Sequence, residues 1–143
     1  MSKNDEKKVQ SLRTHAFGMV TLLMAEFIFG IYTTLYVHFP EKASTRELWM
    51  FSSKQIILNI HMTLGILIAI GALEFLIRAI IAKQSLWIIS TILGLVGIVI
   101  AVFGGLIFIP TQSDSYSFIM SIGFSLSIAA YGWGLFANKS HIK

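Results

Sequence analysis

Glu26 and His61 have the most chemistry to offer, because each stands inside a long apolar run of the chain. An ionisable group in hydrocarbon is costly, so its presence points to function. A neutral imidazole at such a place can ligate a metal or heme iron, or carry a proton. A carboxyl group there can take up and release a proton coupled to another event. Each residue also has a purely structural reading, as a polar side chain bonded to the next helix to hold the two together. His38 beside Pro40 falls at the outer edge of the first apolar run, within reach of an outer-leaflet site, and His141 lies in a polar tail. Glu74 and Arg78 form an i, i+4 pair with the glutamate first, the favourable order, and the long arginine can snorkel to a headgroup region. The chain has no cysteine, which excludes disulfides, thiolate metal sites, c-type heme attachment and cysteine catalysis within it. It also carries no phosphate loop, nucleophile elbow, zinc motif or dinucleotide fingerprint, so any catalysis would rest on a cofactor.

The elements that must position these residues follow from composition. A chain that is 55% hydrophobic and 13% charged, with a mean hydropathy of +0.76, is too apolar for a soluble domain of 143 residues. The expected class is an all-α integral membrane protein, a four-helix bundle forming a single domain over 1–143. Crossing a hydrocarbon core of ~30 Å takes roughly 20 helical residues. Four runs qualify, at about Ala16–Val37, Ile56–Ile81, Leu86–Ile109 and Ser117–Ala137. The polar segment Ser2–Thr14 and the length of the run after it do not fit a cleaved signal peptide. Lys3, Lys7, Lys8 and Arg13 precede the first run, Arg78 and Lys83 flank the tight turn after the second, and Lys139 and Lys143 follow the fourth. Lys42, Arg46 and Lys54 lie on the other side, so the basic bias places both termini in the cytoplasm of a prokaryotic cell membrane. Trp87, Tyr131 and Trp133 at one boundary and Tyr36, Trp49 and Tyr116 at the other suit aromatic belts. The net charge of +4 is then accounted for by topology and lipid headgroups, without a nucleic-acid partner.

Connections and faces add detail. The turn at Ala82–Ser85 makes the second and third runs antiparallel neighbours, and Pro110–Tyr116 links the third to the fourth. The long connection His38–Gln55 has room for an interfacial helix at Arg46–Phe51. Small residues permit close helix approach: Gly97, Ala101 and Gly105 in the third run with Gly94 and Gly104 beside them, Ser121, Ser125 and Ala129 in the fourth. His61 shares one side of its helix with Gly65, Ala69 and Ala72, and Glu26 shares a face with Leu22, Gly30, Thr33 and His15. A faint repeat sets Val102–Gly105 against Ile28–Ile31, and Leu64–Gly65 against Ile122–Gly123.

Four helices, the segment Ile60-His61-Met62-Thr63-Leu64-Gly65, glycine near the outer ends of the first and third helices, and a long first outer loop together resemble one half of the heme A synthase fold. The resemblance covers Phe17 to Phe136 and implies a heme-binding protein of heme or cytochrome oxidase biogenesis, or of electron transfer. It also implies His61 as an axial ligand. This chain has Met62 where the family usually has arginine, Ile57 where a glutamate is expected, and Ile119 with Met120 where the second axial histidine should lie. The iron ligands left are His61 with Met120, His61 with His38, or His61 from two subunits of a homodimer, and a chain of this fold without heme also remains open. Separately, Ala25-Glu26-Phe27-Ile28 with Thr33-Thr34-Leu35 resembles the first helix of small multidrug resistance proteins. That likeness implies Glu26 exchanging protons for a cationic drug. A third reading is a non-catalytic accessory subunit of a membrane assembly such as a respiratory complex, in which the polar residues are interhelical contacts only.

Overall fold

The computed structural model describes residues 3–40 and 43–137. Ser2, Lys42, Lys139, Ser140, His141 and Lys143 lie outside the described residues. The chain is all-helical, with α1 (Lys3–Tyr36), α2 (Thr45–Lys54), α3 (Ile56–Ala82), α4 (Ser85–Thr111) and α5 (Asp114–Ala137). Four of these are long and apolar enough to cross a membrane, and the two 27-residue helices each measure about 40 Å at 1.5 Å per residue.

α1, α3, α4 and α5 form a ring in that order, each packed against its two neighbours, with the α4–α5 seam the most extensive. The reason is visible in the spacing of the buried side chains. Val9, Leu12, Ala16, Met19 and Leu23 recur at intervals of three and four along α1, as do Ile68, Ala72, Phe75 and Ala79 along α3. This is the spacing that keeps one stripe facing a neighbour down the length of a bundle. It also corrects the expected start of the first helix. The stripe continues back through Leu12 and Val9, 2% and 8% exposed, so the polar segment is helical and α1 begins at Lys3 instead of near Ala16.

α4 and α5 approach through small residues, on α4 through Gly97 with Gly94 and Gly104 as expected, and on α5 through a different set from the one expected. Gly94, Gly97 and Gly104 are buried on α4, and Gly123, Ser127, Ala130 and Gly134 on α5, whereas Ser121, Ser125 and Ala129 are exposed. An i+4 count drifts around the helix, and the three-four alternation does not. Ser90 Oγ donates to the Ala130 carbonyl at 2.7 Å and Ser127 Oγ to that of Gly94 at 3.0 Å, bonding the seam directly. Pro110, expected to open a loop, sits in the last turn of α4. Thr111 Oγ1 donating to the Ile107 carbonyl and Gln112 N to that of Phe108, at 2.6 and 2.7 Å, close the turn around it. α5 correspondingly starts at Asp114, earlier than expected.

The interfacial helix is present as α2. Ser44 caps it: its N–H donates to Glu47 Oε2 at 2.8 Å while its Oγ accepts from the Glu47 N–H. The Ser44 backbone N–H, and after it the Ser44 hydroxyl, hold the Glu47 carboxyl below the usual carboxylate range. Leu48 and Ser52 are buried, and α2 lies against α3 and α4, with the Phe39 ring between Phe51 and Phe108.

Candidate functional site

Glu26 and His61 meet. Glu26 continues the buried stripe of α1 one step beyond Leu23, and His61 continues that of α3 beyond Ile68 and Gly65. The two helices run antiparallel, as Met19 against Gly71 and His15 stacked on Phe75 show. This register brings His61 Nδ1 to 3.0 Å from Glu26 Oε1. The carboxylate lies off the line of a ring N–H, so the contact is electrostatic and not an aligned hydrogen bond.

The glycines explain how two bulky polar groups fit inside a helix seam. A Cβ at Gly30, four residues after Glu26, would stand 3.4 Å from His61 Cε1. A Cβ at Gly65, four residues after His61, would stand 3.2 Å from Glu26 Oε1. Each helix therefore offers a polar residue and, one turn on, the gap that receives the polar residue of the other. The imidazole is 23% exposed and the carboxylate 13%. Nδ1 is buried and Nε2 is the ring nitrogen left accessible. Glu26 Oε2 is buried with no hydrogen-bond partner, and so is Thr33 Oγ1 two turns further along α1.

The other expected ligands sit elsewhere. Met120 belongs to the α4–α5 seam: a Cβ at Gly105 would lie 3.2 Å from its Sδ, and Gly104 faces its Cγ. His38 is exposed in the non-helical segment after α1. Among the described residues no group of three or more His, Cys, Asp or Glu side chains gathers to hold a metal ion. A heme iron needs fewer protein ligands, and the residues present fit one axial contact. His61 Nε2 is accessible while Nδ1 faces a carboxylate, the side from which a ligating imidazole is commonly oriented. The glutamate that the family resemblance looks for at position 57 is Ile57, and the carboxylate reaching His61 comes instead from α1.

At the opposite end of the bundle, Phe75, Trp87 and Tyr131 form a fully buried aromatic cluster, with Phe75 5.7 Å from each of the other two rings. Trp87 Nε1 and Tyr131 OH have no partner there. Gly94 makes room for the phenol, because a Cβ would come within 2.6 Å of Tyr131 Cε1.

No family model, curated protein or solved structure matches the chain.

Proposed function

We propose that the chain is a membrane heme-binding protein in which His61 Nε2 is an axial iron ligand and Glu26 positions the imidazole. The observation that carries this reading is the contact of His61 Nδ1 with Glu26 Oε1 at 3.0 Å, which leaves Nε2 as the accessible ring nitrogen. The four long apolar helices support insertion in a bilayer, and the distribution of basic residues supports cytoplasmic termini with α2 on the outer face. His61 then lies about five residues, or ~7 Å, inside the outer end of its helix. Heme bound there would supply electron-transfer chemistry, or would itself be the molecule processed, as the resemblance to heme A synthase implies. Glu26 holds the ring from behind, Gly30 and Gly65 leave the space both side chains need, and the surrounding apolar helices limit water. With Met120 in the α4–α5 seam and His38 in the exposed segment after α1, the His61 of a second subunit is the candidate left for a second iron ligand.

A second reading rests on a separate observation, the buried and unpartnered Glu26 Oε2. A carboxyl group with one oxygen unsatisfied inside a bundle suits a site that exchanges a proton for a cationic substrate. The two readings separate in one experiment. Protein purified from cells supplied with heme is scanned for a Soret band, and the same expression strain is challenged with cationic compounds. A Soret band with no protection supports heme binding. Protection that Glu26→Gln abolishes, with no Soret band, supports the transporter.

A further inference from the structure

The contacts that bring Glu26 to His61 also set the register at the other end of the α1–α3 seam. His15 stacks on Phe75 at 4.8 Å, and a Cβ at Gly71 would lie 3.3 Å from Met19 Sδ, so each step forward along α1 matches one step back along α3. Continued toward the start of α1, this register sets Lys8 level with Ala82, beside Lys83. Lys8 also lies on the side of α1 that faces α3. His15, Met19 and Glu26, which all touch α3, follow it by about two, three and five turns. Lys83 ends α3 in the left-handed conformation with its N–H on the Ala79 and Ile80 carbonyls, which keeps it at the tip of the helix. Both lysines are exposed.

Two like charges brought together at the end of a seam call for an anion, and the described residues supply none there. The acids with described side chains at this end are Glu6 and Glu74. Glu6 precedes Lys8 by two residues, a spacing that turns it to another side of α1. Glu74 is taken by Arg78, whose Nε donates to Oε1 at 2.9 Å and whose Nη2 donates to the same oxygen. It also stands about two and a half turns back along α3 from Lys83. Neither Lys8 nor Lys83 belongs to an ion pair among the described residues. The basic bias and Trp87 put this end at the inner headgroup plane, where the fixed negative charge is that of anionic lipid.

We infer that Lys8 and Lys83 form a site for the headgroup of an anionic phospholipid at the inner end of the α1–α3 seam. The lipid phosphate bridges the two ammonium groups, and Ile81, 70% exposed just inside them, offers apolar surface to the acyl chains. The chain itself joins α1 to α3 only at their outer ends, through 37–55, so the lipid acts as a clasp at the end that has no covalent link. The inference rests on membrane insertion and not on heme.

The full chain in a mild detergent is titrated with phosphatidylglycerol or phosphatidylcholine, and bound lipid is counted by native mass spectrometry. One phosphatidylglycerol should bind roughly 30-fold more tightly than phosphatidylcholine, from about fivefold for each of two basic residues near the lipid charge. Lys8→Gln with Lys83→Gln should abolish the preference, and Lys8→Arg with Lys83→Arg should keep it. Lys7→Gln with Lys54→Gln removes the same charge and should change nothing, because Lys7 is turned ~100° from Lys8 around α1 and Lys54 ends α2. Equal binding of the two lipids, a preference that survives the double glutamine change at Lys8 and Lys83, or its loss in the arginine or control protein would overturn the inference. Displacement of phosphatidylglycerol by inorganic phosphate would do the same, by making this a small-anion site. Far-UV circular dichroism checks that each variant keeps its helices. Alkaline carbonate extraction of the membranes tests insertion separately, so a failure of that premise can be told apart from failure of the site.

Discussion

Replacing Gly97 by alanine should destabilise the bundle strongly. The Cβ would lie 2.5 Å from the Gly123 carbonyl oxygen and 2.8 Å from the Ser127 nitrogen, both backbone atoms that no rotamer change can move. Ordinary contact begins near 3.4 Å, so α4 and α5 must separate by about 0.9 Å. That movement stretches the 3.0 Å bond from Ser127 Oγ to the Gly94 carbonyl beyond hydrogen-bond range. An interhelical bond of this kind contributes roughly 0.6–1.7 kcal/mol, and overpacking costs about 1–3 kcal/mol, giving ~2–5 kcal/mol together. Gly132→Ala is the control, because nothing lies within 4 Å of its Cβ. It should be neutral or stabilising by up to ~1 kcal/mol through helix propensity. Denaturation in mixed micelles of dodecyl sulfate and a mild detergent, followed by tryptophan fluorescence, measures both. Equal effects of the two substitutions would refute the close α4–α5 seam.

Tyr131→Phe removes a buried hydroxyl that has no partner and should leave stability unchanged or raise it by ~1 kcal/mol in the same assay; a loss above that would mean the phenol is bonded. The capping box of α2 sets a pH dependence. Because Glu47 titrates below its unfolded value, the capping contribution is fully present above the unfolded value and disappears as pH falls through the folded one. Acidification should therefore loosen α2 and shift Trp49 emission, and Glu47→Gln should flatten that response. Topology is tested by cysteine labelling in intact cells: Ser44→Cys should react with an impermeant maleimide and Ser140→Cys should not, the reverse pattern contradicting cytoplasmic termini.

Much of the fold was legible because lipid-compatible helices announce themselves by length and apolarity. α2 was legible from the amphipathic Arg46–Phe51 segment, and α3 came within one residue of its expected end. The start of α1 was not, since Val9 and Leu12 are isolated among charges and count only as part of a stripe that runs on to Leu23. For the site, the sequence offered two matching fragments, Glu26 with Gly30 and His61 with Gly65, each on one helix face. Their meeting depends on the register of α1 against α3, which the long connection between them does not fix. The signal lay in the reciprocal pattern itself, an acid and then glycine on one helix and a histidine and then glycine on an antiparallel neighbour. Met120 could be placed by depth along α5 but not by direction, because the packing of α4 on α5 decides where its thioether points.

The proposed binding of heme iron by His61, with Glu26 holding the ring, is tested most directly by an equilibrium heme titration of three purified proteins in one detergent. The wild type should develop a saturable Soret band, His61→Ala should not, and Glu26→Ala should bind with affinity reduced about 10–100-fold, as expected for loss of a carboxylate behind a ligating histidine. Equal heme binding by the wild type and His61→Ala, or no binding by any of the three, would contradict it.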